Sequence, residues 1–250
     1  MRRGICFAIV ASAGLLSFQS AHAQWGTIKG QVKLTGDVPA PKLIAKKGDA
    51  SIKDAAVCSL EDLPDESLVV DPESKGIANV AVWLIKKPAK INPALAKSKD
   101  AEVVFDQKGC KFFPHVLVVR TDQKVRVLSD DAVAHNTHTY PLKNKQDNFI
   151  VAPSDRKGVL VSVASEERLP AQVKCDIHPW MQAYWLILDH PYSAVTNAKG
   201  EFEIADLPEG DLEFRVWQEK VGYLEKTYKV TVKSGENKLP PLEVSASTFK

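Results

Sequence analysis

The sequence predicts an all-β protein built from two β-sandwiches. Short alternating or β-branched runs recur along the 250-residue chain, separated by Gly, Pro, Asn and Asp. There are about thirteen such runs, too many for one seven-stranded sandwich but suited to two. Apart from a single turn near residues 91–96, no helical period is visible.

The elements follow from the N-terminus. Arg2 and Arg3 precede an apolar run over residues 5–18 that ends at Ala21-His22-Ala23. That run is shorter than the ~20 residues a membrane helix needs. Basic residues, apolar run and small-x-small site together predict a secretory leader over residues 1–23. Lys+Arg number 33 and Asp+Glu 31, so loss of Arg2 and Arg3 leaves a neutral chain. Neutrality argues against a nucleic-acid partner, which needs clustered positive charge. No later run is apolar enough to span a bilayer, so the mature chain is expected to be secreted or periplasmic, with no membrane span. With 44% apolar and 26% charged residues it is a core-forming chain rather than a disordered one.

Strands are expected over residues 27–34, 78–85, 101–105, 116–121, 124–128, 159–163, 171–175, 183–188, 193–196, 201–204, 212–218, 227–232 and 242–245. Asn197-Ala198-Lys199-Gly200 and Pro208-Glu209-Gly210-Asp211 are the clearest turns between them. Residues 39–64, 86–99 and 141–158 lack alternation and read as surface connections.

One segment carries chemistry. Cys175-Asp176-Ile177-His178-Pro179-Trp180-Met181 places a thiol, an imidazole and a thioether within seven residues, directly after a predicted strand. Upstream, Asp130-Asp131-Ala132-Val133-Ala134-His135-Asn136 puts a second histidine after a different strand; Asp130-Asp131 reads as a turn. Two histidines, one cysteine and a weak methionine are the ligand set of a blue-copper electron-transfer centre. Thiolate and thioether favour Cu(I), imidazole suits both oxidation states, and a rigid scaffold between those preferences keeps reorganisation small. The competing reading is half of a structural zinc site, but methionine is a poor zinc ligand. After Met1, Met181 is the only methionine in the chain.

The segment resembles the ligand loop of cupredoxins, most closely the short Cys-x-x-His-x-x-Met spacing of amicyanin. His135-Asn136 resembles the His-Asn pair of plastocyanin and amicyanin. Phe113-Pro114, then Val116-Leu117-Val118-Val119 and Lys124-Val125-Arg126-Val127, resemble the two strands that precede that histidine. The resemblance covers residues 101–188. It implies a cupredoxin-like Greek-key sandwich over residues 87–190 that binds one copper ion. It implies His135, Cys175 and His178 as equatorial ligands and Met181 as the axial one, with Asn136 tying the two ligand segments together. His178 is expected on the solvent side as the electron portal, with Pro114, Pro179 and Trp180 as an apolar docking rim. The chain departs from the family at Thr121-Asp122-Gln123, where a glycine is usual. His115 and His138 also lie outside the plain ligand set. They are either satisfied surface histidines or ligands of a second, weaker copper site.

The flanks resemble carboxypeptidase regulatory-like domains. Gly26-Thr27-Ile28-Lys29-Gly30-Gln31-Val32 and Gly76-Ile77-Ala78-Asn79-Val80-Ala81-Val82 look like opening strands of that family. Val195-Thr196-Asn197-Ala198-Lys199-Gly200-Glu201-Phe202 and Leu207-Pro208-Glu209-Gly210, followed by Leu212-Glu213-Phe214-Arg215-Val216, look like its closing strands. Neither half buries a core alone. The expectation is one Ig- or transthyretin-like sandwich formed from residues 24–86 and 191–250, with the copper domain inserted; two small domains plus a tail is the alternative. Cys58 and Cys110 are expected to form a disulfide that pins the irregular N-terminal stretch to the copper domain, the alternative being two free thiols.

The resulting expectation is an exported electron carrier cycling one copper between Cu(I) and Cu(II), not an enzyme. Its partner would be a redox protein such as a c-type cytochrome or a periplasmic dehydrogenase. The rivals are a copper-dependent oxidoreductase with a second metal centre, and a copper-carrying or structural binding module.

Overall fold

The structure is a computed structural model that describes residues 25–249. The leader read over residues 1–23, including Cys6, lies outside the described residues. The all-β expectation is correct: the described residues form nineteen strands, against one helix at Ala55–Cys58 and two 3-10 turns. None of their helices is long and apolar enough to cross a membrane.

One sandwich packs a five-stranded sheet on a four-stranded one. The first is ordered Asn148–Val151, His135–Tyr140, Ala171–Lys174, Gln182–Leu188, Val116–Arg120. The second is ordered Val159–Ser162, Lys124–Val127, Glu102–Lys108, Lys111–Phe113. Phe105, Val119, Val125, Val127, Val173, Ala183, Trp185 and Ile187 fill the space between them, almost without solvent exposure. The rings of Trp185 and Phe105 pack perpendicular to each other with centres 5.3 Å apart, a favoured aromatic geometry.

In the other sandwich, N- and C-terminal strands share sheets. Strand Trp25–Thr35 pairs antiparallel with Glu201–Pro208, and parallel with Gly235–Lys238 and Leu242–Ser245. Strand Ala81–Leu84 lies between Ser193–Val195 and Gly210–Gln218, and Gly222–Val232 completes that sheet. Ile28, Val32, Val82, Phe214 and Tyr192 form its core. Thr196 ties the two ends of the chain together: its buried hydroxyl donates to Ile77 O at 2.7 Å and accepts from Val80 N at 2.9 Å. Gly76 is required where the chain passes residue 199, because a Cβ there would lie 1.8 Å from Lys199 O.

The sandwiches meet through strands buried on both faces. Along Gln182–Leu188, Ala183, Trp185 and Ile187 face the first sandwich, while Tyr184, Leu186 and Leu188 face the other one. The second sandwich meets them with Ala81, Trp83 and Trp217. Two buried faces replace alternation with a continuous apolar run, and Tyr184 packs edge-on to Trp217 at 4.8 Å.

Several elements depart from the sequence reading. Strand His135–Tyr140 was not expected, because His-Asn-Thr-His-Thr-Tyr carries no hydrophobic signal. Pairing on both edges, with Asn148–Val151 and Ala171–Lys174, satisfies its backbone. The stretch at 141–158 contains one of those partners. The stretch at 39–64 is not a plain surface connection: Leu43–Ala45 pairs with Leu63–Pro64, and the helix Ala55–Cys58 lies between them. The stretch at 86–99 holds the 3-10 turn Pro93–Leu95, where Asn92 Oδ1 accepts from Ala94 N. Gly235–Lys238 and Lys111–Phe113 are further strands.

Candidate metal centre

Adjacent antiparallel strands bring the first two donors to one pole. His135 opens strand His135–Tyr140, and Cys175 follows directly on its neighbour Ala171–Lys174, whose last residue pairs with His138. The chain then folds back tightly. Met181 N donates to His178 O at 2.9 Å, Cys175 N donates to Met181 O at 3.1 Å, and His178 N reaches Cys175 Sγ at 3.4 Å. His178 is thereby placed over Cys175.

Asn136 joins the two segments. Its Oδ1 accepts from Asp176 N at 2.7 Å and Ile177 N at 3.3 Å, and lies 3.3 Å from Cys175 Sγ. Its Nδ2 donates to Asp176 Oδ2 and Asn148 Oδ1. One buried amide thus fixes both the thiol and the start of the turn. Satisfied buried polar groups of this kind hold a unique geometry.

His135 Nδ1 lies 2.9 Å from His178 Nδ1, and His178 Nδ1 lies 3.8 Å from Cys175 Sγ. Cys175, His135 and His178 each place a donor atom within 4.8 Å of the other two, and all three residues are buried. The opposite ring nitrogens are already engaged. His135 Nε2 is 2.9 Å from Asp131 Oδ2, and His178 Nε2 is 2.9 Å from Asp54 Oδ2. Met181 is buried in the same core cluster as Cys175.

Carboxylates that bond both Nε2–H groups leave two Nδ1 lone pairs pointed at each other beside a sulfur. That arrangement is repulsive unless a cation or a proton sits between them. Burial pushes His135 down, but Asp131 and the Cys175 sulfur overcome it and raise its pKa to about 9. Burial likewise pushes Cys175 up, but bonding to His135 and His178 brings it down to about 6. A cysteine sulfur and two oriented imidazoles in a buried pocket form a donor set that fits a soft or borderline metal ion.

Asp131 does more than shape a turn. Its carboxylate accepts from Gly109 N at 2.6 Å and Cys110 N at 2.8 Å, which holds it in place for His135. Those amides belong to the two-residue hairpin loop between Lys108 and Lys111, where Gly109 and Cys110 both have left-handed φ, 59° and 52°.

The Cys58–Cys110 disulfide is present, spanning 52 residues. It brings the helix Ala55–Cys58, and with it Asp54, against the site. This corrects the expectation that His178 faces solvent: the side chain is fully buried, and Asp54 occupies its outer nitrogen. Pro179 is exposed and Pro114 half-buried. Trp180 is half-buried, packs on His178 at 5.2 Å between ring centres, and donates its indole N–H to Cys110 O.

Neither His115 nor His138 belongs to a three-donor group among the described residues. His115 Nε2 bonds Glu219 beside the junction of the sandwiches, and its other nitrogen lies 3.8 Å from Glu66. His138 is partly exposed; its Nδ1 lies 3.1 Å from Asp176 Oδ2 and 2.9 Å from the Tyr140 hydroxyl. His190 is buried, its Nε2 3.1 Å from Leu84 O. Sequence reasoning passed over Asp54, which carries no motif; its only pointer is Cys58, four residues on.

No protein-family model matches the chain, and no curated protein does. Solved structures similar to it include a copper-containing nitrite reductase from Thermus scotoductus, at 17% identity and TM-score 0.31, over 40% of this chain and 27% of that one. This chain thus spans about a quarter of that reductase. A purple cupredoxin from Nitrosopumilus maritimus is similar at 16% identity and TM-score 0.29, over 35% of this chain and 99% of that one. Amicyanin from Paracoccus versutus is similar at 15% identity and TM-score 0.30, over 42% of this chain and 96% of that one.

Proposed function

We propose that this chain is an exported protein that binds one copper ion through His135, Cys175, His178 and Met181 and passes single electrons to and from a redox partner protein. One observation carries the reading: two buried imidazoles face each other at 2.9 Å beside a thiol, with both outer nitrogens held by carboxylates. A copper ion there would supply one-electron chemistry between Cu(I) and Cu(II).

The protein's own contribution is orientation. Strand pairing sets the spacing of His135 and Cys175, Asn136 locks the thiol, and the Cys175–Met181 turn carries His178. Asp131 and Asp54 fix which nitrogen of each ring faces inward, and such outer partners raise ligand basicity. Burial excludes water from the thiol and both rings. A donor set that does not move between oxidation states keeps reorganisation low.

The test is to titrate the mature protein with Cu(II) and record visible absorption, paramagnetic resonance and copper stoichiometry. One equivalent of copper with an intense thiolate-to-copper band is expected. A colourless complex, or two equivalents bound with equal affinity, would overturn the reading. A colourless complex would favour a structural metal, and two equivalents a second centre.

A further inference from the structure

We infer that residues 43–64 are a fixed cover of the metal centre and that Asp54 is a positioning residue, holding His178 by its outer nitrogen and closing the imidazole edge to solvent and partners. The inference rests on the proposed copper-binding role and adds to it a segment far away in sequence.

The cover is a closed piece of structure. Leu43–Ala45 pairs with Leu63–Pro64 at its base, Gly48 N donates to Ser59 O at 2.7 Å, and Lys47 N donates to Asp62 Oδ1 at 2.8 Å. Ala45 and Leu63 are buried, while Ile52 and Val57 pack on the core that contains Cys175 and Met181. Asp54 sits just before the helix Ala55–Cys58 in a left-handed conformation, with φ 53° and ψ 38°. Aspartate is one of the few residues other than glycine that adopts this region, because its short polar side chain can bond locally. Its side chain does not cap that helix; it reaches His178 Nε2 at 2.9 Å instead.

The disulfide completes a ring of contacts around the site. His178 is held by Asp54, whose helix ends at Cys58; Cys58 is bonded to Cys110; Cys110 N donates to Asp131; and Asp131 holds His135. Cys58, Cys110 and His178 place their sulfurs and a ring nitrogen within 4.8 Å of one another. Trp180 closes the remaining side by donating to Cys110 O. The carboxylates that orient the two imidazoles are thus linked to each other through one covalent bond, and cover and site form one unit.

Two consequences follow. A carboxylate on Nε2–H makes His178 a stronger donor, which favours Cu(II) over Cu(I). With that edge covered, His178 is not the surface a partner touches.

The experiment compares the copper-loaded chain with Asp54→Ala, Asp54→Asn and the double variant Cys58→Ser/Cys110→Ser. Circular dichroism serves as the control for folding. Asp54→Ala is expected to release copper to a chelator 10–100-fold faster. It should also raise the reduction potential, each tenfold loss of Cu(II) preference amounting to about 59 mV for one electron. Asp54→Asn keeps an acceptor oxygen but not the charge, so release should stay within a few-fold of wild type while the potential still rises. The double cysteine variant should release copper faster with its absorption band retained. An unchanged potential and release rate in Asp54→Ala would overturn the inference and leave the copper reading intact.

A second measurement needs no metal. In the metal-free chain the His178 Nε2–H resonance should exchange slowly with water, and Asp54→Ala should speed that exchange at least tenfold. Fast exchange in the wild type, or no change in the variant, would overturn the inference even in a chain that takes up no copper.

Discussion

At the scale of single residues, chemistry is set by where each polar atom is aimed. Cys175→Ser should remove the thiolate-to-copper band while leaving the fold intact, since serine keeps the small polar side chain beside Asn136; visible absorption after copper addition checks this. Met181 is buried in the site's core cluster, and leucine is close to it in volume, so Met181→Leu should cost under about 1.5 kcal/mol. That variant should retain copper and show a higher reduction potential by voltammetry, because a weak donor to Cu(II) is lost. The ligand candidates were legible in the sequence because Cys175, His178 and Met181 fall within one turn. Asp131 was read as a turn residue, and only its contact with His135 shows its second role.

At the scale of elements, the loop after strand His135–Tyr140 is held by a buried carboxylate. Glu167 accepts from Leu142 N, Lys143 N, Asn144 N and Asn144 Nδ2. Burial works against its charge, but those four donors prevail and hold its pKa below the ordinary 4.5. A depressed folded-state pKa means the stabilisation is complete above about 4.5 and is lost as pH falls through the lower folded value. Protection of the Lys143 and Asn144 amides, taken relative to their intrinsic exchange rate at each pH, should therefore fall as the protein is acidified below that point, and Glu167→Gln should remove that fall.

The disulfide acts at the same scale. Closing 52 residues contributes about 4 kcal/mol in the chain-entropy model, and denaturation of Cys58→Ser/Cys110→Ser should show a loss of that order. Most strands were legible because alternation and β-branching are local signals. Strand His135–Tyr140 was not, because Thr137 and Thr139 are buried by neighbouring strands rather than by their own hydrophobicity.

At the scale of the whole molecule, the two sandwiches share a seam of large apolar side chains. Trp83, Leu186 and Trp217 are nearly solvent-free there. Trp217→Ala should cost about 3–5 kcal/mol, measured by denaturant titration. Both sandwiches should still lose structure in one transition, because strand Gln182–Leu188 contributes side chains to both cores. The sequence alone determined the all-β class and the Cys-x-x-His-x-x-Met spacing, since turn chemistry, side-chain period and ligand spacing are written within a few residues. Only the tertiary structure decided that the site is covered and that each imidazole is held by a carboxylate. Asp54 lies 124 residues from His178, and a contact of that span leaves no local pattern: it exists only once strand pairing and the disulfide bring the two segments together.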